Sequence, residues 1–412
     1  MRAAAMVICA ITRTTGRLAP ADWMGANFDF LKEKTLLEIT LPGSHNSGNY
    51  FGGLYADRIC QSDYRYNEYL ASPSSLALLS KGEHVFSQAE FDRRMIPWNI
   101  NHFRPIKAQL LEDGVRKQQH AVCSMAEAAY RSMGNLMNLA DLRFQHRGYT
   151  TIETVVSSTL QDILQFLDHH PKEIVVLAFN NLHNNVTNKF SEADVDALSA
   201  ALELELGQKI ISAPDLFSKS LEQLLRLGKR VAVFVKGSRP NFRGVISSEM
   251  HLTENWGSAM DSGNLTAAKD WLIQDLQTAA SAAKGRYYVM QANPNNAESL
   301  MYEAMNTGLG PQSNLRFLET FLLELGSLVI RTTRNEPQIR INVIDTDFLS
   351  ISQPYQTCML LMGLSSSLPE NPDTLSTWLI RLSMVVFTAA LLIWACRTYH
   401  KPTGYQRHSP RN

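Results

Sequence analysis

The sequence predicts an α/β chain folded as one barrel of the (β/α)8 type, distorted from the ideal, followed near the C-terminus by a transmembrane helix. Three observations predict it. A unit of amphipathic helix, Gly or Pro stop and short apolar run recurs along the chain. The 412 residues suit one barrel of about 250 residues plus its ends. An apolar run, LSTWLIRLSMVVFTAALLIWAC, extends from Leu375 to Cys396.

The elements follow in order. A strand-like run from Leu36 to Leu41 ends at Pro42-Gly43. Leu160 to Leu167 carries apolar residues at helical spacing, His170-Pro171 breaks the helix, and Ile174 to Phe179 reads as a buried strand. Ser218 to Leu227 places Leu221, Leu224 and Leu225 on one face; Gly228 stops it and Val231 to Val235 follow as strand. Trp271 to Ala283 precedes the strand Tyr287 to Gln291, and Leu315 to Leu328 precedes Ile339 to Ile344. Helices alternating with buried strands imply a parallel sheet, and repetition at this length favours a closed or nearly closed barrel over two domains. Catalytic side chains then belong at the C-terminal ends of the strands.

Composition narrows the function classes. Lys+Arg and Asp+Glu balance at 39 each, so no global field gathers nucleic acid. Cys9, Cys60, Cys123, Cys358 and Cys396 show no CxxC or metal-type spacing, which predicts neither a zinc site nor a disulfide framework.

The ends indicate a membrane. The run from Leu375 has about the 20 residues needed to cross a bilayer, and its one charge, Arg381, can snorkel to the interface. Arg397, His400, Lys401, Arg407 and Arg411 follow it, so the positive-inside rule puts a short basic tail in the cytosol and the barrel on the extracytoplasmic side. The N-terminal stretch through residue 27 reads either as a short export signal or, with Arg13 and Arg17 and no acid before Asp22, as a mitochondrial presequence. Sequons at Asn185 and Asn264 are compatible with export. The expected organisation is this segment, a barrel over 28–355, a linker over 356–374, a span over 375–397 and a tail over 398–412.

His45 stands just past the first strand, between Gly43 and Gly48, where a tight turn presents an imidazole at the barrel mouth. The octapeptide around it, LPGSHNSG from Leu41 to Gly48, resembles the first-strand signature of the phosphatidylinositol-specific phospholipase C X domain. The likeness continues through Gln109-Leu-Leu-Glu-Asp-Gly114-Val-Arg116, Phe144-Gln-His146-Arg-Gly-Tyr149 and His170-Pro171-Lys-Glu173-Ile-Val-Val-Leu, and spans about Phe28 to Tyr355. It implies a single-barrel phospholipase-C-like phosphodiesterase in which His45 is the base that takes the inositol 2-hydroxyl proton. His146 is the acid that protonates the departing diacylglycerol oxygen, and Asp347 polarises His45. Imidazole suits both roles because its ordinary pKa is near neutral. The resemblance further implies substrate contacts from Asn46, Arg116, Lys236 and Trp256, an inositol phospholipid as partner, and no cofactor.

The sequence also departs from that pattern. After Gly114-Val-Arg116 the family continues to an Asp-x-Arg that lines the site, but here those positions are Gln119 and Ala121. Gln118 to Ala140 therefore reads as an insert: a long loop, an unusual isoform or a fault in the gene prediction. Asp141-Leu-Arg143 offers a substitute arginine, yet Arg143 and His146 fall on opposite faces of an extended strand unless a bulge intervenes. Without the acids that hold calcium, no metal site is expected. The leading expectation is a membrane-anchored inositol-lipid phosphodiesterase. The alternatives are a catalytically silent barrel that binds headgroups or scaffolds a membrane, and a metal-dependent barrel phosphodiesterase.

Overall fold

The computed structural model describes residues 20–50, 55–60, 64–124, 137–146, 149–184, 189–240, 242–282, 285–295, 298–308 and 312–364. The chain divides into two units, Met1–Leu368 and Pro369–Asn412, and every described residue belongs to the first. The expected span and tail, the N-terminal segment through residue 19, and the sequon at Asn185 lie outside the described residues. Among the described residues no helix is long and apolar enough to cross a membrane.

One sheet holds twelve strands: β1 (Leu41–Ser44), β2 (Tyr55–Ile59), β3 (Lys117–Ser124), β4 (Leu142–His146), β5 (Tyr149–Val155), β6 (Val175–Asn184), β7 (Ile210–Ile211), β8 (Val231–Val235), β9 (Ile246–Ser247), β10 (Leu252–Glu254), β11 (Tyr287–Gln291) and β12 (Val343–Thr346). The path β10-β11-β12-β1-β3-β6-β8-β9 is parallel at every step. Among the described residues no ladder joins β9 to β10, so the barrel is open there.

The helix-stop-strand units fold as their patterns predict. The helix Val156–His169 buries Val156, Leu160, Ile163 and Leu167 at helical spacing, and β6 follows. Helix Leu221–Arg226 precedes β8, and helix Leu265–Ala282 precedes β11. Each such apolar side chain contributes about 1.5–3 kcal/mol when buried. The expected first strand begins late instead. Leu36–Glu38 is a helical turn because Glu38 accepts from the Thr35 amide (2.8 Å) and hydroxyl (2.9 Å), a capping box that competes with extended backbone.

The supposed insert after Arg116 is central sheet up to Ser124: β3 is wholly buried, pairing with β1 at Lys117 and Gln118 and with β6 along its length. Once β1 ends, β4 takes over the freed edge of β3 at Val122–Ser124, running antiparallel. β5 and β2 extend this antiparallel ribbon. His146 therefore arrives on a returning strand, not on a third parallel one.

Arg116 does not reach a substrate. It precedes β3 at the barrel's N-terminal end, fully buried. Its Nε donates to Glu173 (2.7 Å), Nη1 to the carbonyls of Leu110 and Val115, and Nη2 to those of Pro20 and Ala21. It is a strut that ties the N-terminal turns to the barrel floor. At the other end of the chain, Pro354–Leu361 is a helix with Thr357, Cys358 and Met359 buried.

Over the mouth lies a helical cap. The helices Tyr64–Ala71, Pro73–Ser80 and Gln88–Met95 pack with Glu298–Asn306 around a second core that includes Tyr69, Phe91, Trp98, Tyr302 and Met305. The rings of Tyr69 and Phe91 lie 4.8 Å apart. A disulfide joins Cys60, just after β2, to Cys123 on β3, with Cα atoms 6.1 Å apart. This corrects the expectation of no disulfide. The partners are 63 residues apart in sequence, and only the ribbon brings them together.

Candidate active site

The octapeptide makes the turn that carries His45. A Cβ on Gly43 would stand 2.6 Å from Val343 Cγ1 and 2.7 Å from Asp345 Oδ1, so β1 approaches β12 closely only with glycine there. The His45 amide donates to the Thr346 carbonyl (3.1 Å) and the Ser47 amide to the Gln119 carbonyl (2.9 Å). Asn46 takes φ of 48°, a left-handed conformation that Asn tolerates better than most residues. A Cβ on Gly48 would meet the Phe144 ring at 2.2 Å, so β4 is seated directly on this turn.

His45 Nδ1 lies 3.1 Å from Asp347 Oδ1, and Asp347 Oδ2 accepts from Asn101 Nδ2 at 2.9 Å. Behind them His102 Nε2 lies 2.6 Å from the His45 carbonyl oxygen, fixing the backbone of the turn. Burial disfavours the His45 imidazolium, but the charge and hydrogen bond of Asp347, with Asp345 beyond, outweigh it and raise the pKa above the ordinary value. Burial likewise works against the Asp347 carboxylate, yet the His45 charge and hydrogen bond, with His102 and Asn101, hold it below the usual range. The result is an imidazole oriented by a buried carboxylate.

The mouth encloses a pocket of about 840 Å³ lined by His45, Asn46, His146, Lys236 and Trp256 among others. The His146 ring faces His45 edge-on, with centroids 6.4 Å apart. Trp256 stacks on His45 at 5.7 Å, and its indole N–H donates to Asp261 (2.6 Å). Below them Glu254 accepts from Gln119 (2.7 Å), Asn180 (3.0 Å) and Gln291. Beneath that, Lys117 and Asp345 pair at 2.5 Å inside the barrel. Among the described residues no three His, Cys, Asp or Glu side chains converge as metal ligands would.

Five of the residues nominated from sequence thus line one pocket, and Asp347 backs the first of them. Arg143 is not among the lining residues, although β4 and β5 do slip register between Arg143 and Gln145. Arg116 lies at the opposite end of β3. Gln119 and Ala121, by contrast, face the pocket where the resemblance places charged residues. Sequence reasoning missed Arg65, His183, Gln291 and the Asn101-His102 brace. His183 sits late in β6, in a polar stretch that reads as loop, and Arg65 enters from the cap, for which no local pattern exists.

Barrel and pocket together define an open α/β barrel with its candidate site at the mouth. In fold the chain is similar to the phosphatidylinositol-specific phospholipase C of Listeria monocytogenes, with 12% identity and a TM-score of 0.50 over 85% of this chain and 100% of that one. A phosphatidylinositol-specific phospholipase C structure from Staphylococcus aureus scores 0.46 at 14% identity, over 80% of this chain and 91% of that one. In sequence the chain is similar to human PI-PLC X domain-containing protein 1, at 26% identity over 217 residues. That match covers 53% of this chain and 57% of the relative, so the chain spans just over half the length of the curated relative it matches. No protein-family model matches the sequence. The resemblance read from the octapeptide therefore stands as a likeness, to a PI-PLC X domain-containing protein in sequence and to a phosphatidylinositol-specific phospholipase C in fold.

Proposed function

We propose that the chain is a membrane-associated phosphodiesterase that cleaves inositol phospholipids or their glycosylated forms. The observation that carries this reading is two imidazoles facing each other 6.4 Å apart across one pocket, the first backed by Asp347 at 3.1 Å. Neutral His45 takes the proton of the inositol 2-hydroxyl as that oxygen bonds to phosphorus. The bond from phosphorus to the diacylglycerol oxygen breaks, and imidazolium His146 gives that oxygen its proton. Products are diacylglycerol and an inositol 1,2-cyclic phosphate. Asp347 stabilises the His45 imidazolium formed in the step, Trp256 offers a flat wall to the ring, and Asn46 and Lys236 contact the headgroup.

The names of the relatives support the substrate class, and the Cys60–Cys123 disulfide supports an oxidising compartment for the barrel. That agrees with an exported barrel on a C-terminal membrane span with a cytosolic tail. A second reading, a silent barrel that binds headgroups, is favoured by Gln119 and Ala121 at the mouth.

The test is release of inositol phosphate from phosphatidylinositol vesicles by the full chain, with and without chelator. Turnover by wild type, unaffected by chelator and reduced about 10²–10⁴-fold in His45→Ala and His146→Ala, is expected. Equal rates in wild type and His45→Ala sink the mechanism. Headgroup binding without wild-type turnover installs the second reading.

A further inference from the structure

Phosphodiester cleavage builds negative charge on the phosphoryl oxygens, and a fixed cation beside them lowers the barrier. The strands bring little positive charge to this mouth. Besides the imidazoles of His146 and His183, β3, β4, β6 and β11 present Gln119, Ala121, Gln145, Asn180 and Gln291 there, all uncharged. Lys236, just past β8, is exposed at the rim on a flexible stem.

The cap supplies a better-held cation. Arg65, in the helix Tyr64–Ala71, lines the same pocket with its side chain 18% exposed. Its Nη1 is paired with Glu298, the first residue of the helix Glu298–Asn306 and itself part of the lining. A guanidinium carries five N–H donors in a planar fork, so one edge can be braced by a carboxylate while the group serves a phosphate. Two anchors fix the helix over the mouth. Tyr69 buries its ring in the cap core, and the Cys60–Cys123 bond fastens the chain just ahead of Arg65 to β3, close to Ala121.

We propose that Arg65 is the phosphoryl-binding cation of this site, delivered by the cap in place of a strand-borne cation, with Glu298 as its brace. Its ligand is the phosphate of an inositol headgroup. The substrate rests on the phospholipase reading; the cation's role is read separately, by binding.

The experiment compares wild type, Arg65→Gln and Arg65→Lys of the full chain, by calorimetric binding of inositol 1-phosphate and by phosphatidylinositol turnover. Arg65→Gln is expected to weaken inositol 1-phosphate about 10–100-fold, with Arg65→Lys between it and wild type. Turnover falls at least as far, and the His45-controlled acid limb of its pH profile stays in place. Arg65→Lys keeps charge and stem, so it reads the role even if Arg65→Gln does not fold. Unchanged affinity in the folded variants overturns the proposal. Should wild type bind inositol 1-phosphate and turn over no lipid, the phospholipase reading falls while the binding comparison still decides on Arg65. If wild type binds no inositol 1-phosphate, both fall.

Discussion

At the scale of single residues, the charge of Asp347 sets the working range of His45. Burial alone pushes the imidazole pKa down, and it is the carboxylate at 3.1 Å that brings it above the ordinary value. In the proposed reaction His45 must be neutral to accept a proton, so the raised pKa is expected to place the acid limb of kcat/KM above that of an isolated histidine. Asp347→Asn removes the raising charge and leaves the burial. The acid limb then moves to lower pH while the plateau falls about 10²–10⁴-fold, because the amide no longer stabilises the imidazolium. A pH–rate profile of the variant checks both; a limb that stays in place shows that Asp347 does not control His45. That His45, Asn46 and Asp347 come together was legible through the resemblance, which set them just past two strands that the fold makes neighbours, β1 and β12. Arg116 was misjudged because a sequence gives its position beside β3 but not which end of the strand it occupies. Its partner Glu173, 0% exposed, is what converts it from ligand to strut.

At the scale of elements, the repeated units were legible and the ribbon was not. A helix such as Val156–His169 and the strand after it announce themselves by hydrophobic spacing within one short window. The direction of β4 depends instead on where β1 stops beside β3, a matter of register between segments about a hundred residues apart in the chain. The cap shares this property, since its core borrows Met301, Tyr302 and Met305 from a distant helix. The disulfide holds ribbon and cap to the barrel across a loop of 63 residues, for which chain entropy gives about 4 kcal/mol. Cys60→Ser should lower the unfolding free energy by about that amount in denaturant titrations, and wild type in reductant should match the variant. A variant as stable as the oxidised wild type counts against the pairing.

For the whole molecule, the sheet's burial has a pH signature. His120, on β3 between β4 and β6, lies against the rings of Phe144 and Phe179, centroids 4.8 and 5.4 Å away, and its Nδ1 has no hydrogen-bond partner among the described residues. Burial, with the nearby charge of Lys117, lowers its pKa from 6.5 to about 3. Between those values the unfolded chain binds the extra proton and the folded one does not, so stability falls as pH drops below 6.5, by about 1.4 kcal/mol per unit. His120→Phe should flatten that decline while leaving stability near pH 7 little changed; urea titrations at pH 7 and pH 5 compare the two, and an equally steep loss in the variant contradicts the account. The long antiparallel ribbon shows where the expected parallel sheet of a closed or nearly closed barrel was too simple: alternating helix and strand patterns fix the parallel strands but say nothing of a strand that turns back. At Gly48 the ribbon rests on the octapeptide turn. Its missing side chain lets Phe144 rest on the turn of His45, and Phe144 shares β4 with His146. The last glycine of the octapeptide therefore serves as a spacing gauge between the two imidazoles, and in the proposed reaction a single methyl group added there would detune proton delivery without altering either histidine.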